Sequence, residues 1–273
     1  CIRDSDITTQ FFANYAKTLG RHDFSVMIGY EDYYAFWENL DASRDQYQLT
    51  SYPYLDLGSE DYRDNGGNAE EYAYRSLFGR MTYSYADRYL IQANLRRDGS
   101  SRFGADNQYG MFWAVGLGWN MERESFLQDV SWLTRLKVRG SVGTSGNNNI
   151  GDYAAQGVYG YGSYNGASTA YPARLPNPDL SWEKSMQASV GLDASLFDSR
   201  LNVTFDVYQR KTTDLLLSTR LSMTSGFSSR IDNVGELMNK GYELSISGDL
   251  IRTNDWKLTL NGICLLYTSP SPR

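Results

Sequence analysis

From Leu201 to Gln209 the side chains alternate apolar and polar almost without exception. Leu201, Val203, Phe205 and Val207 share one face of an extended chain, and Asn202, Thr204, Asp206 and Tyr208 share the other. Ahead of a tight polar connection at Phe197–Arg200, the residues Ala188, Val190, Leu192, Ala194 and Leu196 alternate with Gln187, Ser189, Asp193 and Ser195. The two runs read as an antiparallel hairpin. Each arm exceeds the five or six residues usual in soluble sheets and reaches the roughly 9–11 that a tilted strand needs to cross a bilayer. If the apolar face meets lipid, the face carrying Asp206 lines a wet interior, where Asp206→Arg is expected to be mild.

The same period recurs along the chain. Phe24, Val26, Ile28 and Tyr30 follow a weaker strand (Asp6–Leu19) and a turn at Gly20–His22. Leu77–Tyr85 and Tyr89–Leu95 flank Ala86–Arg88, and later alternations cover Trp113–Trp119, Leu136–Val142, Tyr242–Gly248 and Trp256–Leu260. About ten strands result, with one helical turn expected between Glu122 and Leu133. Short or compact connections (20–22, 86–88, 120–133, 198–200 and 252–255) alternate with long ones (31–71, 96–108, 143–181 and 212–238). A soluble sandwich has no reason to sort loop lengths this way. An up-and-down barrel does, with short periplasmic turns and long extracellular loops. The fold class is therefore all-β, part of a large antiparallel transmembrane β-barrel.

Composition agrees without deciding. No run of about 18 apolar residues is present, which excludes a helical membrane protein. Mean hydropathy of -0.51 does not count against a barrel, whose strands are apolar on one side only. Twenty-two Tyr and six Trp suit aromatic girdles at the two membrane interfaces. A net charge of -6 excludes a nucleic-acid surface, and the basic trio Arg96, Arg97 and Arg102 reads as solvated loop charge. Residues 1–5 and 264–273 break the pattern and read as adapter-derived and non-native. That leaves 6–263 as the barrel segment and neither Cys1 nor Cys264 as native.

Catalytic material is sparse. The single histidine, His22, lies in a turn and reads as solvated, so no His-based triad or multi-His metal site can form. The carboxylates Asp61, Asp64, Glu70 and Glu71 read as loop charge rather than a calcium or glycosidase site. Gly99–Gly104 and Gly143–Gly146 lack the Gly-Lys-Ser/Thr ending of a phosphate loop. No enzyme activity, cofactor or metal is expected. Ligand contact is expected from loop aromatics, with Trp37, Tyr159, Tyr161 and Tyr164 as the candidates.

Six stretches carry a family resemblance: FGR at 78–80, YADRY at 85–89, RRDGSSRFG at 96–104, GTSGNNNIGDY at 143–153, NPDLSWE at 177–183 and KTTDLL at 211–216. In this order they resemble the barrel of SusC/RagA-type TonB-dependent outer-membrane transporters of the Bacteroidota. The resemblance implies a barrel of about 22 strands, a size at which the lumen is plugged, of which this chain holds under half. It also implies import of oligosaccharides or peptides across the outer membrane, with a SusD-like surface lipoprotein and with TonB, ExbB and ExbD. The alternatives are a passive outer-membrane barrel without a plug and a soluble β-sheet binding module.

Overall fold

A computed structural model describes residues 2–48, 51–52, 54–253 and 255–268. Fourteen strands are present among them: β1 (Ile2–Leu19), β2 (His22–Arg44), β3 (Arg63–Tyr85), β4 (Tyr89–Ser100), β5 (Tyr109–Asn120), β6 (Leu133–Asn147), β7 (Val158–Tyr164), β8 (Ala167–Arg174), β9 (Glu183–Leu196), β10 (Leu201–Thr213), β11 (Leu216–Arg220), β12 (Ser229–Asn233), β13 (Glu236–Arg252) and β14 (Lys257–Tyr267). Ten form one antiparallel sheet in the order β1-β2-β3-β4-β5-β6-β9-β10-β13-β14. The pairs β7-β8 and β11-β12 are separate hairpins inserted in its long connections. Ile2–Ser5 continue β1 and Cys264–Tyr267 continue β14, while Cys1 and 269–273 lie outside the described residues.

The pairing register aligns the apolar positions of every strand on one face. Val26, Met81, Ala93, Val115 and Val142 run into Ala188 across neighbouring strands, and Phe205 sits between Leu192 and Leu244. These side chains stand open rather than packed, with Val190 61% and Leu117 58% exposed. A face this apolar and this uncovered fits a bilayer, where strands can stand only with every backbone group paired to a neighbour. At the short-turn end the face closes on aromatic rings. His22 meets Tyr85 at 4.9 Å, Tyr85 stacks on Tyr89 at 6.4 Å, and Tyr89 stacks on Trp119 at 6.3 Å. The polar tips find a partner: Tyr89 Oη and Trp119 Nε1 both donate to Glu124 Oε1, at 2.7 and 3.1 Å. Those two hydrogen bonds, with Arg88 adding a smaller effect, hold the Glu124 carboxyl below the usual carboxylate range. His22 is thus part of the girdle, with Nδ1 2.8 Å from Tyr83 Oη, rather than free in a turn.

Further expectations change: the long connections 143–181 and 212–238 are not structureless but hold the β7-β8 and β11-β12 hairpins. The stretch 31–71 is not one long loop, because β2 and β3 stay in register out to Arg44 and Arg63, leaving 45–62 as the connection. Pro53 lies outside the described residues. Past the lipid both faces of a strand are wet, so the ladder continues on backbone hydrogen bonds while the period-2 signal fades. For the same reason Arg96 and Arg97 belong to β4. Arg96 binds the Asp98 carboxylate at 3.1 Å and Arg97 lies 4.3 Å over the Tyr109 ring. The helical turn expected after Glu122 is a single 3-10 turn at Met121–Arg123.

The two faces predict opposite responses to charge. In the full-length receptor folded into liposomes, Val190→Arg should destabilise by about 2–4 kcal/mol in urea unfolding, and Ser245→Arg on the inner face by under about 1 kcal/mol. Equal losses at both sites would show that the apolar face is a protein core.

Candidate functional site: the inner wall and its shelf

Opposite the apolar band, the inner face is a polar wall. Ser25 and Thr82 hydroxyls meet at 2.6 Å, Arg80 Nε donates to Asn94 Oδ1 at 3.0 Å, and Ser141 and Ser189 hydroxyls meet at 2.9 Å. Its centre is Arg139 on β6. Nε donates to Asp193 Oδ2 at 3.1 Å on β9, and Nη2 donates to Asp206 Oδ2 at 2.6 Å on β10. One guanidinium thus ties three strands, in the forked geometry that suits arginine. Asp206 is therefore not a free wet carboxylate: Asp206→Arg would set two guanidinium groups against each other, so the expectation of a mild effect is corrected. Two recesses open beside this cluster. One of about 710 Å³ is lined by Ser25, Thr82, Gln92, Asn94, Lys137 and Arg139 among others. The other, about 620 Å³, includes Arg139, Gln187, Asp206, Arg210 and Glu243.

At the long-loop end the inner face carries the buried core of the described residues: Phe103, Phe112, Ile150, Ala154, Ala155, Leu180 and Trp182. Trp182 gathers them, with Phe103 at 5.2 Å and Phe112 at 5.4 Å, and its Nε1 donates to Gln108 O at 2.9 Å. They come from β5 and from the β4–β5 and β6–β9 connections, and Leu216 and Ile231 of the β10–β13 connection pack against them, so that the three connections fold back over the wall as a shelf. Gly104 is needed there, since a Cβ would stand 2.4 Å from Pro178 O. Polar links bind the shelf: Arg102 Nε donates to Asp152 Oδ1 at 2.7 Å, and Asn177 Nδ2 donates to Ile231 O at 2.7 Å and to Asp232 Oδ1 at 2.9 Å. Arg102 is thus a structural tie, not solvated loop charge. Asp232 also accepts from Thr219 and Arg230, and these bonds, that from Thr219 foremost, hold its carboxyl below the usual range.

The four candidate aromatics are not brought together as one site. Trp37 lies on β2, with its register partners Asp4 and Glu70, whereas Tyr159, Tyr161 and Tyr164 lie on the separate β7-β8 hairpin. The Arg139 cluster was missed. Arg139, Asp193 and Asp206 each sit at a polar position of an alternating strand, but only the strand register places Arg139 level with both aspartates. Glu70 and Glu71 are consecutive in β3 and so face opposite ways. Among the described residues no group of three or more His, Cys, Asp or Glu is placed to hold a metal.

The family model described as TonB dependent receptor-like, beta-barrel matches residues 2–271. The chain belongs to this family. A TonB-dependent receptor of Formosa agariphila is 35% identical over 94% of the chain, and TonB-dependent receptor SusC of Bacteroides thetaiotaomicron is 34% identical over 94%. The chain spans 25% and 26% of those relatives' lengths. Among solved structures, the RagAB peptide transporter superposes with a TM-score of 0.90 at 31% identity, over 97% of this chain and 30% of that one. The outer-membrane transporter YddB of Escherichia coli shares the fold alone, at 11% identity and a TM-score of 0.62. The family consists of receptors and transporters rather than enzymes, and its barrels explain the sorted loops, the lipid-facing band and the polar inner wall.

Two measurements probe the shelf. Trp182 is 4% exposed, so Trp182→Ala should cost about 3–5 kcal/mol locally. It should expose 148–182 to trypsin while the barrel keeps its resistance to SDS at room temperature; unchanged cleavage would show that the shelf does not depend on the indole. Because the folded-state pKa of Asp232 is depressed, its contribution is complete above the ordinary carboxylate pKa of about 4 and is lost as pH falls through the lower folded value. Pepsin nicking at 214–238 should therefore rise steeply below about pH 4, and Asp232→Asn should raise nicking relative to the parent most at the upper end of that range. A ratio independent of pH would remove Asp232 as the cause.

Proposed function

We propose that the full-length protein is an outer-membrane, TonB-dependent importer of oligosaccharides or peptides, acting with a SusD-like surface lipoprotein and energised through TonB, ExbB and ExbD. The observation that carries this reading is the superposition on the RagAB peptide transporter over 97% of the chain, reinforced by 34% identity to SusC. The inner wall supports it chemically. Hydroxyls, amides and paired charges can exchange hydrogen bonds with a hydrated polar solute, and the internal pairing of Arg139 keeps its charge from trapping that solute. The edge strands β1 and β14 offer unpaired backbone groups on which the remaining strands of a closed barrel can continue the ladder.

The test is genetic. Disrupting the gene in its source bacterium should abolish growth on one class of oligosaccharide or peptide, and disrupting tonB should have the same effect. Uptake that persists after collapse of the proton gradient would instead favour the passive barrel.

A further inference from the structure

The β7-β8 hairpin is chemically unlike the wall it rises from. Residues 158–173 contain no charged side chain, yet hold Tyr159, Tyr161, Tyr164 and Tyr171, exposed by 68%, 79%, 78% and 52%. The register pairs Tyr159 with Pro172 and Tyr161 with Ala170. Tyr159 and Tyr161 therefore share one face, beside small side chains that leave both rings uncovered. Same-face residues two apart on a strand stand about 6.6–6.8 Å from each other. Tyr171 lies on the opposite face against Gly160, where a Cβ would meet its ring at 2.8 Å. This cross-strand packing of a ring on glycine stiffens the hairpin from behind. The tip is a tight turn at Asn165 and Gly166, with φ of 52° and 79°. The base is clamped, with Arg174 Nη1 donating to Tyr153 O at 3.2 Å and Asn177 N donating to Ala155 O at 3.0 Å. Ala154 and Ala155 beneath it belong to the buried shelf.

Two exposed rings on a stiff, uncharged hairpin in the long β6–β9 connection constitute a binding surface with its conformational cost already met. Without charge the surface has nothing to hold an ionic ligand, whereas each ring offers a flat apolar face to the C–H face of a pyranose and a hydroxyl beside it. We propose that Tyr159 and Tyr161 form a stacking platform for a neutral oligosaccharide, one ring per sugar residue, outside the lumen. Tyr164, on the other face, and Trp37, on β2, are not part of it. This rests on the import reading and narrows its substrate class. A protein partner covering the same face is the outcome that the lipoprotein arm of the test separates.

The test is titration calorimetry on the full-length receptor in detergent, with malto-, cello-, xylo- and mannohexaose as probes and a Gly-Ser-Ala hexapeptide as the control. At least one sugar should bind the parent. The Tyr159→Ala/Tyr161→Ala variant should lose at least about tenfold in affinity, while the double Phe variant and Tyr164→Ala stay within about threefold. The rings are exposed, so these changes leave folding intact. Binding of no sugar in the panel, or an unchanged affinity in the double-alanine variant, overturns the proposal. So does loss of lipoprotein co-purification with sugar affinity unchanged, which would assign the face to a protein. Binding needs neither TonB nor a gradient, so the result stays readable even if uptake proves passive.

Discussion

Every backbone amide in hydrocarbon must find its hydrogen-bond partner within the protein, and that one requirement organises this chain. It forces extended strands into a continuous antiparallel ladder, and within the bilayer-crossing stretches the ladder's register then gathers apolar residues on one face and mainly polar ones on the other. The aromatic row from His22 to Trp119 marks where the requirement relaxes at the short-turn side. There the rings reach polar partners such as Glu124 that the hydrocarbon could not tolerate.

The inner side obeys a different rule. Water rather than hydrocarbon meets this face, and pairing Arg139 with Asp193 and Asp206 lets it carry charge while bracing three strands. None of the three side chains is more than about two-fifths exposed: the values are 37%, 27% and 20%. Removing one partner would therefore leave a charge that water only partly compensates. At the long-loop end the chain builds the buried core of the described residues. Trp182 and its neighbours weld three connections into a fixed shelf, so length alone does not make these loops mobile.

How far the sequence could be read followed the solvent on each face. Strands β4, β5, β9 and β10 are bounded by lipid on one side and water on the other, and their alternation was unmistakable. The outer ends of β2 and β3, from Glu31 to Arg44 and from Arg63 to Glu71, have water on both sides and read as loop although their ladder is unbroken. Likewise, Arg102 in a Gly-Ser-Arg stretch looked solvated until Asp152, fifty positions away, was placed against it. Of the four aromatic candidates, only Tyr159 and Tyr161 fall on one surface, a distinction that needed the strand pairing of β7 with β8.

By itself the sequence determined the all-β class, the ten-stranded ladder, the sorting of short turns from long connections and the two faces of the strands that alternate. All of these follow from local alternation and turn chemistry. Tertiary structure alone decided the register that shares Arg139 between two aspartates, and that Phe103, Phe112, Leu180 and Trp182 meet in one shelf. Those contacts join residues tens of positions apart, and no local pattern encodes the register of two strands across a long insertion.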